Sequence, residues 1–488
     1  MIKLINIELK KIFKHKSIYV VLLIIFLFCL LNNILYKVDY DNDGFYKYED
    51  ESNINSEIAD LKKELNNYNL DNENDINMYI TIKTKLDVAL GRKEYDKNTW
   101  QYIKYNDYLY QDLYNINYYT YVYKDDNLLK SNTDKYNDKL NKFKSNNWEY
   151  FVNIEKDNLE SKITSLDNKL NNTKDKQVKE ELEEESRLLN NELVIINYRL
   201  NNNINYGNSY LNEALLEYKE NLDSINNYTN KNLTYKEKIY YNDILSSLNI
   251  NKYIIENKIN VNKQNNLNYQ LRSIADDYEV FIIIIVLIVT SVLISEEFNK
   301  GTIKLLLIKP FKRSKILFSK YITGVILIFL TITFIILCQI LIGGILFGLD
   351  SLKLPVVVYD YNLSHIRTFN ILIYMLIRVL VKLPMFIMIL TISVTLGILI
   401  NSTIGTFSIT ILLYTFSEVI NNIIVTYNIK LMQYFITMNW SFKDYLFGGL
   451  SNFRYITLKK SILIYLIYVI ILLGVMAVSF RKKNIKNI

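Results

Sequence analysis

Residues 295–321 read Ser295-Glu-Glu-Phe-Asn-Lys-Gly-Thr-Ile-Lys-Leu-Leu-Leu-Ile-Lys-Pro-Phe-Lys-Arg-Ser-Lys-Ile-Leu-Phe-Ser-Lys-Tyr321, and this charged connector joins two apolar runs. Seven Lys and Arg residues lie within it, close to both runs. Lys and Arg within about 15–20 residues of a membrane-spanning end bias a loop to the cytoplasm. The pattern therefore predicts a cytosolic loop between two membrane spans.

A short helix is predicted inside the connector. Gly301 and Pro310 bracket the segment 302–309, which Thr302 can cap at its start and which must end before the proline. The segment is basic and apolar, so we expect an amphipathic helix under the bilayer. The alternative is a basic loop that rests on anionic lipid.

The order Glu296-Glu297-Phe298-x-x-Gly301-Thr302, followed by Leu305-Leu306 and Pro310, resembles the loop between the second and third spans of type-2 ATP-binding-cassette (ABC-2) permeases. In that family this loop is a coupling helix that docks on a separate ATPase subunit. The resemblance assigns ATPase coupling to Glu296, Glu297, Phe298, Gly301, Thr302, Lys304, Leu305, Pro310, Arg313 and Lys320. It also implies a cytosolic ABC ATPase partner, which holds the ATP and Mg, and a second permease copy or paralogue.

Composition excludes several other classes of function. Residues 38–278 hold 31 Lys+Arg and 42 Asp+Glu, a net charge of −11, and the positive excess of the remainder sits mostly at membrane ends, so the charge gives no reason to expect nucleic acid as a partner. Both cysteines fall in apolar runs, and the two histidines are far apart in sequence, so no disulfide framework or metal site is expected. No nucleotide-binding loop occurs either. We therefore expect neither an enzyme nor a cofactor bound by this chain.

Apolar runs predict six transmembrane helices, at residues 17–37, 279–295, 322–349, 383–400, 404–425 and 461–480. An interfacial amphipathic helix precedes them at 1–16, and the coupling loop occupies 296–321. The basic tail 481–488 and the basic start place both termini in the cytosol. A signal peptide is the competing interpretation of the start, but the first apolar run is long and no small-x-small cleavage site follows it.

The segment 38–278 is predicted to be an extracytoplasmic helical domain, because it has no proline and only three glycines. Apolar residues at helical spacing on either side of a polar turn near 171–177 predict an antiparallel, coiled-coil-like hairpin. Six tyrosines between 102 and 121 repeat at helical spacing. They are interpreted as core residues, with an aromatic wall facing a ligand or lipid as the alternative.

The second half of the chain contains polar residues inside or beside its spans. An outer loop with an interfacial helix is predicted at 350–382, with Arg378 and Lys382 snorkelling to the interface, and an outer loop with a candidate re-entrant helix at 426–460. Gly343, Gly344 and Gly348 are interpreted as ending a helix rather than packing closely. Glu418, with Asn421 and Asn422 one turn on, is a candidate intramembrane polar site, and the alternative places it at the outer interface.

Together these features predict an all-α polytopic membrane protein, with six transmembrane helices and an inserted α-helical, coiled-coil-like extracytoplasmic domain. With the resemblance, they predict a plasma-membrane permease subunit of an ATP-driven transporter. Its expected cargo is an amphipathic or antimicrobial peptide or a lipid-like compound, with sodium ions also open. The alternative is a non-transporting membrane scaffold or sensor whose external helices bind a partner.

Overall fold

The computed structural model describes residues 1–42, 54–68, 73–207, 209–228, 232–260, 266–299 and 311–482. The chain forms two compact units. The first contains Met1–Asn42, Leu233–Tyr240 and Val261–Ile488, and the second contains Asp43–Asn232 and Tyr241–Asn260.

The first unit contains long apolar helices and several shorter helices. They are α1 (Ile2–Ile12), α2 (Lys16–Asn42), α11 (Leu267–Asp277), α12 (Glu279–Thr290), α13 (Glu296–Asn299), α14 (Arg313–Phe347), α15 (Ile371–Ile400), α16 (Thr403–Thr426) and α17 (Leu458–Lys482). A π-helical turn, Ser291–Ser295, joins α12 to α13. The helix α10 (Tyr235–Asn257) contributes its first residues to this unit.

Five of these helices are long and apolar enough to cross a membrane, and the count is six if the bent pair α11–α12 forms one span. That pair bends by 41° at Tyr278. The chain is therefore a mostly helical protein of multi-pass membrane type, as the sequence predicts.

The helix α15 lies at the centre of the first unit, packed against α11, α12, α16 and α17. The sequence predicted an interfacial helix before residue 382 and a span after it, but α15 is continuous through Pro384. The difference has two causes. Acidic partners compensate the cations on α15, and the proline removes a single helical hydrogen bond.

The two regions predicted as outer loops contain local structure that the sequence pattern did not indicate. An antiparallel hairpin of β1 (Val356–Asp360) and β2 (His365–Phe369) precedes α15. Three short 3₁₀ helices, Lys430–Tyr434, Ile436–Met438 and Lys443–Gly448, occupy the region where a re-entrant α-helix was a candidate. Phe447 adopts a left-handed backbone, with φ of 53°, and its carbonyl accepts the Tyr361 N–H at 2.8 Å.

One carboxylate holds the tight turn of the hairpin. Asp360 accepts the backbone N–H of Asn362 at 3.0 Å and of Leu363 at 3.3 Å, and a guanidinium nitrogen of Arg367 at 3.1 Å. Burial opposes its ionisation, but these hydrogen bonds outweigh burial and hold the pKa of Asp360 below its usual range.

The second unit is entirely helical over its described residues. Its helices are α3 (Ile54–Leu65), α4 (Glu73–Arg92), α5 (Trp100–Tyr118), α6 (Asp126–Lys144), α7 (Trp148–Asn172), α8 (Lys176–Asn201), α9 (Tyr210–Ile225) and the remainder of α10, with a π-helical turn at Tyr119–Tyr123. Its main core gathers aromatic rings around Phe143, which contacts Trp100 and Phe151 at ring-centroid distances of 4.5 and 5.5 Å.

The predicted helical hairpin is confirmed. The helices α7 and α8 pack on each other and are joined by the polar residues 173–175, with Leu159, Leu166 and Ile196 buried along the seam. Of the repeating tyrosines, Tyr105 is buried and Tyr108 packs against the same core, which supports the core interpretation for those two.

Candidate functional site

Four charged side chains meet beside the connector, and we call them the N-terminal charge cluster: Glu8, Lys11, Glu297 and Lys320. Lys320 Nζ lies 2.9 Å from Glu8 Oε1 and 2.7 Å from Glu297 Oε2. Lys11 contacts the other oxygen of Glu297 and donates to the Val292 carbonyl at 3.2 Å. The side chains of Lys320, Glu8 and Glu297 are at most 3% exposed, so this is a desolvated cluster with balanced charge.

Three elements bring the cluster together. The helical spacing of α1 places Glu8 on the buried face between Leu4 and Ile12, against α14. Glu297 lies in α13, which follows the bent pair, and Lys320 lies two turns inside α14. Buried ions of this kind persist only when they are paired, so the cluster fixes α1, α13 and α14 relative to one another.

The predicted coupling residues have different environments. Glu297 and Lys320 are buried in the cluster, whereas Glu296 is 26% exposed and lies 3.5 Å from His15 Nε2. Arg313 donates to the Arg481 carbonyl at 2.8 Å. Phe298 belongs to α13, but the structure describes only its backbone. The other predicted coupling residues lie outside the described residues: Gly301, Thr302, Lys304, Leu305 and Pro310. Among the described residues of the predicted set, Glu296 is therefore the acidic side chain that solvent reaches.

A second cluster surrounds the bend between α11 and α12. Asp276 lies 2.6 Å from Arg378 and 2.7 Å from Lys382, and Lys382 also contacts Glu279. Lys443 approaches Asp276 at 3.8 Å. Lys382 is 5% exposed, so it pairs inside the protein rather than snorkelling as the sequence predicted. The cause of this difference is an acidic partner that is distant in sequence.

A third cluster consists of amides in the core of the first unit. Gln339 Oε1 accepts Asn33 Nδ2 at 3.2 Å and the Tyr278 hydroxyl at 3.0 Å, and Gln339 Nε2 donates to Asn33 Oδ1 at 3.1 Å and also contacts Gln270. The Cys29 thiol lies 3.1 Å from the same Gln339 oxygen. These buried side chains tie α2, α11 and α14 together.

Gly343 makes room for this amide cluster. A Cβ at that position would lie 2.7 Å from Leu267 Cδ1 and 3.2 Å from Asn33 Oδ1. The helix continues to Phe347, so Gly343 serves close packing and does not end the helix, contrary to the sequence interpretation, whereas Gly348 is the C-cap and ends the helix as interpreted.

The intramembrane candidates on α16 separate into two kinds. Glu418 and Asn422 are exposed on the surface of the first unit. Asn421 is bound to Thr437, donating to its carbonyl at 3.1 Å and accepting its hydroxyl at 2.6 Å. Asn421 thus holds the 3₁₀ segment against α16, while Glu418 is exposed in the second half of that helix.

The sequence patterns did not indicate Glu8 or the amides. Glu8 is the only acidic residue among the first sixteen, and Asn33 and Gln339 are polar residues near or within apolar runs. A single polar or acidic residue in such a segment indicates a buried partner, because an unpaired polar group is costly at these positions. Within the described ranges, no three His, Cys, Asp or Glu side chains are grouped to hold a metal ion.

Comparison with known proteins gives two matches. Over 105 residues, 21% of this chain, it is 34% identical to the uncharacterized protein YhcI of Bacillus subtilis (strain 168), and it covers 32% of that relative's length. No solved structure matches the chain significantly. The sequence profile of a family described as a protein of unknown function (DUF2705) matches residues 240–486, which include the bent pair, the connector and every later span. The chain therefore belongs to the DUF2705 family.

Proposed function

We propose that the chain is the membrane-spanning permease subunit of an ATP-driven transporter of the ABC-2 type. The observation that carries this proposal is the N-terminal charge cluster. It holds both ends of the connector, through Glu297 on one side and Lys320 on the other. A loop that receives force from a partner needs such fixed ends, because force applied to a loosely held loop does not reach the spans.

Topology supports the same proposal. Lys11 and Lys320 both contact Glu297, which brings the start of α2, the residues after the bent pair and the start of α14 close together and supports a common membrane side for them. Arg313 adds the end of α17 to that side. If α2 crosses the membrane, the bent pair must cross back, which gives six spans with both termini on one side. That side is rich in Lys and Arg, as expected for the cytosol.

The partners follow from this assignment. A cytosolic ABC ATPase would dock on the connector and bind the ATP and Mg, and a second permease copy or paralogue would complete the pathway. The helices α16 and α17 expose many large apolar side chains, which suit contact with lipid and with that second copy. The chain itself is proposed to be a non-enzymatic permease.

The second unit is proposed to lie outside the plasma membrane and to capture cargo. In the proposed topology, the chain first enters this unit after α2 and last leaves it before α11, on the outer side of the membrane. Its sequence is acidic, so a cationic amphipathic or antimicrobial peptide is the favoured cargo, ahead of a lipid-like compound. The physiological role would be export that gives resistance or immunity.

A second function, a membrane scaffold or sensor, is favoured by one observation. The second unit has an aromatic core of its own, which a partner-binding module requires. The two proposals differ in whether an ATPase associates with the chain.

The experiment is co-purification with the ATPase encoded beside this chain, using a tag on this chain alone. We expect the ATPase to co-elute with the chain, and we expect Glu296→Lys to reduce the amount that co-elutes. The matched charge reversal Glu180→Lys, at an exposed carboxylate of the second unit, should leave that amount unchanged. Glu297 is unsuitable for this purpose because its reversal would disrupt a buried cluster. An ATPase that never associates under mild detergent would favour the scaffold or sensor.

The cargo proposal has its own test. Replacement of residues 163–189, the distal part of the α7–α8 hairpin, by a short glycine-rich turn leaves the core residues Phe151, Val152 and Ile196 in place. We expect cells with this variant to lose resistance to cationic peptides at unchanged expression. Full resistance would exclude capture by the hairpin.

A further inference from the structure

The helix α1 has two faces of different character. Leu4, Glu8 and Ile12 are buried against the first unit. On the exposed side, Ile2 is 76% exposed, Ile7 is 54% exposed and Phe13, the cap residue, is 40% exposed. Ile2 and Phe13 lie on one flank of this side and Ile7 lies on the other, and exposed large apolar side chains of this kind favour a cover that is not water.

The charges on the exposed face all have one sign. Lys3, Lys10 and Lys14 are exposed and follow a spacing of seven and four residues, which places them on one stripe of the helix. The acidic side chain of this helix, Glu8, points the other way and is used by Lys320. In the described part of the chain, no carboxylate pairs with the three lysines of the stripe.

The position of α1 defines what can meet this stripe. Only residues 13–15 separate it from α2, the first candidate span, so the helix must lie at the membrane surface. Lysines beside exposed apolar side chains at that level match an acidic headgroup layer above acyl chains.

We propose that α1 binds an anionic lipid surface through Lys3, Lys10 and Lys14, with Ile2, Ile7 and Phe13 inserted beside them. Because Glu8 and Lys11 attach the inner side of α1 to Lys320 and Glu297, lipid binding fixes the N-terminal charge cluster at the level of the headgroups. This proposal stands on the first unit alone and does not depend on an ATPase partner. Each lysine near an anionic surface strengthens association about fivefold.

The test uses the substitution Asn6→Cys in the full-length chain, at an exposed position of α1. A fluorescent label is attached to the new thiol. Both native thiols, Cys29 and Cys338, are buried, so the label is selective. The protein is placed in nanodiscs of phosphatidylcholine, or of phosphatidylcholine mixed with phosphatidylglycerol, and quenching by neutral acrylamide is measured. We expect weaker quenching in the anionic discs, and we expect high salt to remove the difference.

The variant Lys3→Gln/Lys10→Gln/Lys14→Gln should quench equally in the two lipids. The matched control Lys174→Gln/Lys176→Gln/Lys179→Gln, at exposed lysines of the second unit, should keep the difference. Equal quenching of the labelled parent protein in both lipids would overturn the proposal. So would a lipid difference that survives in the first triple variant, because the stripe would then not be its source.

Discussion

Lys320 lies between two carboxylates in a site that excludes water. Lys320→Met keeps the length and packing of the side chain but leaves Glu8 and Glu297 without their shared cation. Breaking a buried pair in this way costs about 3 kcal/mol, and we expect the free energy of unfolding to fall by that amount. The measurement is chemical unfolding of the purified protein in detergent.

Lys315 provides the control for this residue. It lies on the same helix but is exposed, so Lys315→Met should change the free energy of unfolding by no more than about 0.5 kcal/mol. Equal stability of the two variants would mean that the N-terminal charge cluster does not hold the three helices together.

For a single residue, the sequence predicts what chemistry the side chain can perform better than it predicts which residue the side chain will contact. The connector motif drew attention to Glu297 and Lys320, yet nothing in their surroundings indicated burial. The partner that decides their role, Glu8, is 312 positions from Lys320. Periodicity reports which face of an element is apolar, and it carries no information about which ions meet across the fold.

At the scale of elements, Gly343 allows α14 to approach α11 and α2. A methyl group there would meet the buried Leu267 and the amide of Asn33, so Gly343→Ala should lower the free energy of unfolding by about 1–3 kcal/mol. Gly474 in α17 is the matched control, since a Cβ there meets nothing within 4 Å. Thermal unfolding should show Gly474→Ala to be neutral or more stable, and a tolerated Gly343→Ala would contradict the close packing.

The β-hairpin should respond to acid. The folded pKa of Asp360 is lowered, so its stabilising effect is complete above the unfolded pKa of about 3.9 and is lost as the pH falls through the folded value. We expect hydrogen exchange of the hairpin amides, corrected for intrinsic rates, to accelerate below about pH 4. In Asp360→Asn the acceleration should disappear, and its persistence would point to another titrating group.

Local patterns predicted some elements and not others. The α7–α8 hairpin was predictable because neighbouring segments form it, with apolar residues at helical spacing around a polar turn. The continuity of α15 was not predictable, because it depends on Asp276 and Glu279 meeting the cations of a distant helix. The 3₁₀ segments also escaped prediction, since Asn421 and other tertiary contacts hold them rather than any repeat.

At the scale of the whole molecule, the second unit should fold alone. Two of the three tryptophans, Trp100 and Trp148, lie in its core and are at most 7% exposed. A soluble fragment of residues 43–260 should therefore emit blue-shifted fluorescence that moves to longer wavelength in one cooperative urea transition. Phe143→Ala should lower its stability by about 3–5 kcal/mol. A fragment with exposed tryptophans before urea is added would show that this unit needs the rest of the chain.

The presence of several long apolar helices followed from hydropathy, because lipid leaves few structures that satisfy the backbone. The polar clusters inside the bundle did not follow, because each joins residues from separate helices. Two of these clusters include a residue of α14, namely Lys320 in one and Gln339 in the other. These two residues are 19 positions apart, which is about 28 Å along a helix that contains no proline. Such a helix behaves as a stiff rod, so its two anchored points cannot shift independently. A displacement of Lys320 along the helix axis is therefore expected to move Gln339 and the amides around it as well.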